Sequence, residues 1–214
     1  MKITNFKNFI AEFPFENQSF DINKDIWKVQ SQQQLITKIF QEKPQITLNR
    51  FDLFNATSNI DSFIIKTLMW GYPTKGRGKN IDKLLEPTNF NNLIEILKTY
   101  NKTAITIEQL KSDIKNIPGL GLSTITKFTH FLGTTIENHK AIILDNQIIE
   151  AINTNRFEEF RSLIGISYDN APNKYVEYIT IIDKLSIAMN VKPDQIEIFL
   201  FTFGRNLSEL RPEK

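Results

Sequence analysis

Residues 116–128 read Asn-Ile-Pro-Gly-Leu-Gly-Leu-Ser-Thr-Ile-Thr-Lys-Phe, and the rest of the chain is organised around this stretch. The pattern predicts a helix that ends at Pro118 and Gly119, a short Gly-Leu-Gly turn, and a second helix that begins at once. The two glycines permit positive φ and let another group approach the backbone closely. The unpaired first N–H groups of the second helix and the positive end of its dipole lie directly after these glycines. We therefore predict an anion site, and a DNA phosphate is the anion that such a turn usually holds.

A plain turn between two helices is the alternative, in which Pro118 and Gly119 only stop one helix and start the next. A Pro-Gly pair alone favours that alternative. The full run is more specific, because a second glycine follows and a Ser-Thr pair opens the next helix. We favour phosphate contact, and the candidate DNA-binding residues of this stretch are Pro118, Gly119, Gly121, Ser123, Thr124 and Lys127.

The composition bounds the class of protein. A chain of 214 residues with 41% hydrophobic residues, among them 17 Phe, can bury a sizeable core as one domain or two small ones. The formal net charge is only +2, so any affinity for DNA must come from a local patch. The absence of cysteine excludes a disulfide framework, a thiolate zinc site and an iron–sulfur cluster, and two histidines are too few for most histidine-based metal sites.

No stretch of the sequence suggests a membrane protein. No apolar run approaches the ~20 residues of a membrane-spanning helix, and the N-terminus lacks the apolar core of a signal peptide. We therefore expect a soluble, cytoplasmic protein without a membrane partner. We also expect a monomer.

Helical periodicity dominates the chain. Phe90, Leu93, Ile94 and Leu97 fall at i, i+3, i+4 and i+7, the pattern of one helix face. Alternating apolar and polar runs are rare, and residues 46–54 fit strand or helix, of which we favour helix. The predicted fold class is all-α. Further apolar stripes at helical spacing cover residues 6–13, 35–40, 60–68, 107–114, 125–132, 148–152, 178–189 and 196–203.

No repeat, low-complexity tract or strong linker divides the sequence. We therefore expect residues 1–214 to form a single all-α unit, a helical cluster with a cleft between two halves. If the halves are sub-domains, they divide in the 72–90 region, into residues 1–80 with the C-terminal helices and residues 81–165, which contain the turn.

An aromatic turn and a basic loop follow the helix of residues 60–68. Trp70 and Tyr72 are candidates for a base pocket, because aromatic rings can stack on an extruded base, and the alternative is that both belong to the core. A glycine-rich loop comes next, and its cations are candidates for phosphate contact unless the loop is merely exposed. These cations are Lys75, Arg77 and Lys79.

Residues 106–152 resemble the core of the helix-hairpin-helix DNA glycosylase superfamily. In that superfamily a hairpin with this Pro-Gly-apolar-Gly pattern is followed by an aspartate that opens a helix. Here Ile-Ile-Leu-Asp-Asn at 142–146 is similar to that segment, and Asp145 lies 22 residues after Ser123, slightly farther than usual. Residues 70–73 and the two C-terminal helices resemble, less specifically, a bacterial branch described as 8-oxoguanine glycosylase-like.

The resemblance implies a helical glycosylase-like fold and an enzyme that extrudes a damaged or modified base from double-stranded DNA and cleaves its N-glycosidic bond. Cleavage builds positive charge on the sugar, and a fixed carboxylate can stabilise that charge. Asp145 is the candidate for this catalytic role, and the alternative, which does not exclude it, is a cap on the helix that begins at Asn146. The resemblance also implies a monovalent cation held by the backbone carbonyls of Lys115, Ile117 and Leu120, and no other cofactor.

Ser123 is the main departure from the strand-cleaving members, which carry at this position a lysine that forms a Schiff base with the sugar. Serine cannot form that imine, and Ser123, also a candidate catalytic residue, resembles instead the adenine-excising branch with its Gly-x-Ser-Thr sequence. That branch carries a cysteine-ligated iron–sulfur cluster, which this chain cannot hold. Lys127, one helical turn further, or Lys140 could supply a displaced amine, but we favour the interpretation that both are solvated surface lysines. Strand cleavage is therefore left open.

The leading hypothesis is a bacterial DNA N-glycosylase, associated with the nucleoid when it acts, in which Asp145 supplies the catalytic charge without the superfamily's Schiff-base lysine. The first alternative, which Ser123 keeps open, is a non-catalytic helix-hairpin-helix protein that only binds DNA. The second is a helical protein-interaction domain whose turn never meets DNA. Several bases stay open as the target, with 8-oxoguanine one candidate, and so do repair and defence against foreign DNA.

Overall fold

The computed structural model of the chain describes residues 1–76 and 78–207. Its α-helices are, in chain order, α1 (Lys7–Ala11), α2 (Gln33–Phe40), α3 (Arg50–Ala56), α4 (Ile60–Gly71), α5 (Asn80–Leu84), α6 (Pro87–Tyr100), α7 (Ile107–Asn116), α8 (Leu122–Phe131), α9 (Asn146–Asn153), α10 (Ala171–Met189) and α11 (Pro193–Phe203). Short 3-10 helices cover Ile3–Phe6, Phe15–Asn17 and Glu158–Leu163. The strands are β1 (Ser19–Asn23), β2 (Gln45–Asn49), β3 (Ala104–Ile105), β4 (Thr135–Ile136) and β5 (His139–Lys140).

The described part of the chain is mostly helical, which confirms the main part of the predicted class, but it also contains small sheets. In the first sheet, β1 and β2 pair antiparallel with Phe20 opposite Leu48. In the second, β3 pairs parallel with β4, and β4 pairs antiparallel with β5. The class is therefore helical with minor β-structure rather than all-α.

The prediction of a helix over residues 46–54 was wrong for its first part, where β2 lies. The change from strand to helix occurs at Asn49. Its side chain accepts a hydrogen bond of 2.8 Å from the Asp52 N–H, and the Asp52 carboxylate accepts one of 2.9 Å from the Asn49 N–H. This reciprocal capping box starts α3. Local periodicity does not reveal β2, because its partner β1 is distant in sequence.

The chain divides into two compact units. The central unit comprises Glu16–Ala141, and the terminal unit comprises Met1–Phe15 together with the chain from Ile142 onward. The sub-domains suggested from sequence, 1–80 with the C-terminal helices and 81–165, do not coincide with these units. The turn lies in the central unit, and the candidate aspartate lies in the terminal unit. That residues 1–214 fold as a single unit with a cleft stays a prediction.

Helix α4 lies at the centre of the core of the central unit, where it packs against α3, α6 and α8. Its apolar face is buried along the helix, and the ring centroids of Phe63 and Phe128 lie 5.9 Å apart. Its last residue is Gly71, which lies beside Lys127 of α8. The packing of α4 on α8 therefore brings the aromatic turn after α4 to the start of α8.

Helix α11 lies at the centre of the terminal unit, where it packs against α1, α9 and α10. Aromatic rings fill this core, with the ring centroid of Phe199 5.2 Å from that of Phe6 and 5.9 Å from that of Phe157. Helices α11 and α9 approach closely at Gly204, where a Cβ would lie 2.6 Å from the Cβ of Ala151. This packing fixes α9, the helix that the candidate aspartate opens.

Candidate functional site

The turn between α7 and α8 has a positive φ at the first of its two glycines, while Gly121 is extended. The N–H of Leu120 donates a hydrogen bond of 3.1 Å to the carbonyl of Ile117, and Gly119 has a φ of +87°. Proline at the second position of a four-residue turn and glycine with positive φ at the third are the features of a type II turn. The Ile-Pro-Gly-Leu run therefore fixes the path of the chain from one helix to the next.

Gly119 is required for close packing as well as for its φ. A Cβ at this position would lie 2.4 Å from the carbonyl oxygen of Asn80 and 3.2 Å from the Cβ of Lys83. The group that approaches the glycine on this side is therefore the start of α5. The exposed Lys83 lies beside the turn and is a cation that sequence reasoning missed, although its spacing of four residues from Lys79 was a usable signal.

The N-terminus of α8 has no side-chain cap. Its N-cap residue is Gly121, in extended conformation with a φ of −125° and a ψ of 168°. The carbonyl of Gly121 accepts hydrogen bonds of 3.0 Å from the N–H groups of Thr124 and Ile125. The earlier N–H groups, those of Leu122 and Ser123, have no capping side chain, because glycine carries none. A phosphate oxygen could take the place of the missing cap.

Lys127 is buried, with 4% of its surface exposed. Its ammonium group donates hydrogen bonds to the Ser123 side-chain oxygen at 2.9 Å and to the Ser123 carbonyl at 3.1 Å, and its Nζ lies 5.3 Å from the centroid of the Tyr72 ring. The interpretation of Lys127 as a solvated surface lysine was therefore wrong. Its side chain folds back along α8, because residues four apart lie on the same helix face. Lys140, by contrast, is exposed.

Gly71 provides the space for Lys127. A Cβ at position 71 would lie 2.8 Å from the Cδ atom of Lys127 and 3.0 Å from its Cε atom. The Tyr72 hydroxyl shares a hydrogen bond of 2.8 Å with the side-chain oxygen of Thr124 and donates a longer one, of 3.4 Å, to that of Ser123. We call these five residues the Lys127 cluster. All but Gly71 are candidates in the sequence, though for separate roles, and the structure brings them together.

Trp70 lies in the core of the central unit. Only 3% of its surface is exposed, and its indole N–H donates a hydrogen bond of 3.2 Å to the Gln18 carbonyl. The Arg50 guanidinium lies 5.3 Å from its ring centroid, and the rings of Phe20 and Phe131 pack edge-on at 5.6 and 5.4 Å. This environment supports the alternative that Trp70 belongs to the core, and it does not support the predicted role in base stacking.

The structure describes two of the three cations in the glycine-rich loop. Lys75 forms an ion pair with Asp82, in which its Nζ lies 2.6 Å from Oδ1, so its charge is already balanced within the protein. Lys79 is exposed. Arg77 lies outside the described residues. Lys79 and the newly identified Lys83 are therefore better placed than Lys75 for contact with a phosphate backbone.

Asp145 is the N-cap of α9. Its Oδ1 atom accepts hydrogen bonds from the N–H groups of Gln147 at 3.1 Å and Ile148 at 3.2 Å. The residue is half-buried and its backbone is extended, with a φ of −113° and a ψ of 179°. The cap interpretation is confirmed, and the catalytic role, which it does not exclude, stays a prediction.

Two tyrosines of α10 hold the segment that leads to Asp145. The Tyr175 hydroxyl donates a hydrogen bond of 2.7 Å to the Ile142 carbonyl and accepts one of 3.2 Å from the Ile142 N–H. The Tyr178 hydroxyl donates one of 3.0 Å to the Ile143 carbonyl. Sequence reasoning missed this tyrosine pair, because tyrosines within the apolar stripe of α10 look like ordinary core residues.

The structure shows no cluster of metal ligands in residues 1–76 and 78–207, since no three His, Asp or Glu side chains converge there. His130 is buried, and its Nδ1 atom shares a hydrogen bond of 3.0 Å with the Ala141 carbonyl. Within the same residues, no helix is both long enough and apolar enough to cross a membrane.

A family model described as "Putative 8-oxoguanine DNA glycosylase OGG-like protein" matches residues 14–201. The chain belongs to this family. The predicted resemblance to an 8-oxoguanine glycosylase-like branch is thereby confirmed, and the matched residues include the turn, the Lys127 cluster and Asp145. No curated protein and no solved structure matches the chain.

Proposed function

We propose that the chain is a DNA N-glycosylase that excises a damaged or modified base, with 8-oxoguanine as the first candidate. The observation that carries the proposal is the family match, because it runs through both the turn and Asp145. The geometry of each unit supports it. The central unit offers an uncapped helix N-terminus to a phosphate, and the terminal unit holds a carboxylate in a fixed orientation.

We assign DNA binding to a helix-hairpin-helix formed by α7, the turn and α8. The N–H groups and the dipole at the start of α8 attract a phosphate, and Pro118 is exposed beside them. Lys79 and Lys83 add positive charge next to the turn. These contacts go to the sugar-phosphate backbone, so they hold double-stranded DNA without reading its sequence.

We assign to the Asp145 carboxylate the negative charge that stabilises the transition state. Cleavage of an N-glycosidic bond passes through an oxocarbenium-like sugar, as in glycoside hydrolysis. Two backbone N–H groups hold Oδ1, so the carboxylate is oriented before the substrate binds. A preorganised charge stabilises a transition state more than one that must first reorient. In this role Asp145 stabilises positive charge at C1′ and orients the attacking water.

Tyr72 is the remaining candidate for contact with the extruded base. It is half-buried, and its hydroxyl is already bonded to Thr124, so the ring face is the part that would stack. The Lys127 ammonium lies 5.3 Å from the centroid of this ring and fixes its position from one side.

We also propose a monovalent cation at the turn, held by the carbonyls of Lys115, Ile117 and Leu120. Two observations support this proposal, and the first is that the Ile117 carbonyl accepts one hydrogen bond and keeps a second lone pair. Lys115 lies in the last turn of α7, where carbonyls lack an intrahelical donor. The cation would add positive charge near the phosphate. Replacing K⁺ by tetramethylammonium should weaken DNA binding, and equal binding in both salts would contradict the site.

The test of the function is excision from a panel of labelled duplexes, each with a single lesion, beginning with 8-oxoguanine opposite cytosine. Protein in excess over DNA gives single-turnover rates, and hot alkali converts each abasic site into a strand break. We expect release from at least one lesion duplex and none from the undamaged duplex.

Two other outcomes would favour the alternatives. Binding without release from any duplex would favour a non-catalytic DNA-binding protein, for which Ser123 in place of a lysine is the supporting observation. An affinity that does not fall as salt rises would instead favour a protein-interaction domain, because phosphate contacts release counterions.

A further inference from the structure

We propose that Lys127 is an amine nucleophile that attacks C1′ of the target nucleotide, so that the protein also cleaves the DNA strand as a lyase. This assignment rests on the proposed glycosylase function and names the residue for a second reaction on the same nucleotide. Three observations carry it, namely the position of the amine, the space made for its side chain, and the contacts that fix its direction.

The amine of Lys127 lies at the side chain of Ser123. The distance from Nζ to the Ser123 Oγ is 2.9 Å, and the two residues are one turn apart on α8. Ser123 stands where the strand-cleaving glycosylases that resemble this chain carry their lysine. A short side chain at that position therefore meets an amine that arrives from the next turn of the same helix.

The protein makes room for this amine in a way that a surface lysine does not require. Lysine side chains are mostly exposed in folded proteins, whereas only 4% of Lys127 is exposed. Gly71 ends α4, and its missing side chain leaves the space that the Cδ and Cε atoms of Lys127 occupy. A Cβ at position 71 would lie 2.8 Å from Cδ and 3.0 Å from Cε of Lys127, so the buried path of this lysine depends on a residue without a side chain.

The contacts of the Lys127 cluster fix the direction of the amine. Two hydrogen bonds to Ser123 hold Nζ on one side, and the Tyr72 ring lies 5.3 Å away on another. Tyr72 is itself held by the Thr124 hydroxyl at 2.8 Å. A nucleophile gains most when it is held near its attack geometry before the substrate arrives.

The reaction balances with the groups named. The Lys127 ammonium first gives one proton to water. The neutral amine then forms a bond to C1′ as the N-glycosidic bond breaks, and the base leaves with a second proton from the nitrogen. The last proton on the nitrogen passes to O4′ as the sugar ring opens, which leaves an imine between Nζ and C1′. Loss of a proton from C2′ then expels the 3′ phosphate, and the strand is cleaved.

Borohydride trapping of the wild-type protein tests the assignment directly. Borohydride delivers hydride to C1′ of the protonated imine, so the protein and the DNA become joined by a stable secondary amine. Peptide digestion and mass spectrometry then locate the modified lysine. We expect the adduct on Lys127, both with an excised lesion duplex and with a duplex that carries a preformed abasic site.

Variants of the cluster provide a second readout. Lys127→Gln and Lys127→Arg should lose the trapped adduct, whereas Lys98→Gln, at an exposed position of α6, should retain it. Gly71→Ala keeps the amine but places a Cβ 2.8 Å from the Lys127 Cδ atom. It should lower the yield of adduct while DNA binding is kept.

The outcomes separate this assignment from the glycosylase proposal. Base excision without an adduct, or an adduct mapped to another lysine such as Lys140, would overturn the role of Lys127 and leave the glycosylase proposal intact. No excision from any lesion duplex would contradict the glycosylase proposal instead. The abasic duplex then still tests the amine, because imine formation there needs no base release, and no adduct on it would overturn the assignment.

Discussion

Two helices of this protein begin with the same backbone conformation and differ in what closes their first turn. Gly121 and Asp145, the N-cap residues of α8 and α9, are both extended, with φ and ψ of −125° and 168° in one and −113° and 179° in the other. Gly121 has no side chain, so α8 has no cap of its own. Asp145 closes α9 with a carboxylate oxygen. The same conformation thus suits an external anion in one unit and a fixed negative charge in the other.

The two helix starts are also held by different interactions. The turn before α8 depends on a missing side chain, because Gly119 lies against the carbonyl of Asn80 with no room for a Cβ. The segment before α9 depends on added hydroxyl groups, because Tyr175 and Tyr178 bond its backbone. Substitutions should therefore affect the first by crowding and the second by leaving buried polar groups unpaired.

Asp145→Asn should have the largest effect, because it separates the charge from the cap. Asparagine caps a helix about as well as aspartate, so the free energy of unfolding should change little. The negative charge is lost, and we expect the single-turnover excision rate to fall about 10²–10³-fold while the affinity for lesion DNA is kept. Excision rates in protein excess, DNA titrations and thermal melting measure the three quantities.

The control for this variant is Asp169→Asn, at an exposed carboxylate in the turn before α10, which should excise at the wild-type rate. If Asp145→Asn lost binding and excision to the same extent, or melted far below the wild type, Asp145 would act only as a cap. The comparison between the two helix starts would then be one of stability alone.

Gly119→Ala should disrupt the turn. Alanine at a φ of +87° costs about 1–2 kcal/mol, and a Cβ 2.4 Å from the Asn80 carbonyl adds about 1–3 kcal/mol. Gly78→Ala is the matched control, because Gly78 has a φ of +77° with open space around a Cβ. Chemical denaturation should show a clearly larger loss for Gly119→Ala, with weaker DNA binding. Equal losses would mean that packing against α5 contributes nothing.

Tyr175→Phe should loosen the segment before Asp145. It removes a buried hydroxyl that bonds both the carbonyl and the N–H of Ile142, at a cost of about 1–3 kcal/mol. We expect a slower single-turnover excision rate with unchanged DNA affinity, because the carboxylate loses its support and the turn does not. Tyr168→Phe, at a side chain 59% exposed, should change the free energy of unfolding by less than about 0.5 kcal/mol. Lower stability with an unchanged rate would limit Tyr175 to the fold.

The same tyrosine predicts a dependence of stability on pH. Burial raises the pKa of Tyr175 well above its ordinary value of 10.0. In the unfolded chain the phenol loses its proton near that pH, whereas in the folded chain it keeps it. Above pH 10.0 the folded state therefore binds more protons than the unfolded state, so the free energy of unfolding falls as pH rises. Burial also raises the pKa of Tyr100, so Tyr175→Phe should weaken this alkaline loss in denaturation experiments without removing it.

The parts of this arrangement that neighbouring residues determine could be predicted from the sequence. Pro118 and Gly119 specify their turn, and Asp145 is a favoured N-cap before an apolar helix. The burial of Lys127 could not be predicted, because the glycine that makes room for it and the tyrosine beside it belong to a distant segment. For Trp70 the sequence left both base stacking and the core open, because nothing near it in the sequence shows which side chains enclose its ring.

The smallest effects should come from the cations beside the turn. Lys79 and Lys83 are exposed, whereas Lys75 is paired with Asp82 at 2.6 Å. Each neutralised phosphate contributes about 0.9 to the slope of log K against log salt, so Lys79→Gln and Lys83→Gln should each reduce the slope by about that amount. Lys75→Gln should reduce it less, because its charge is already balanced. Anisotropy titrations over a range of salt measure the slopes. If all three variants kept the wild-type slope, the phosphate would lie elsewhere, and the packing of α5 against Gly119 would serve the fold alone.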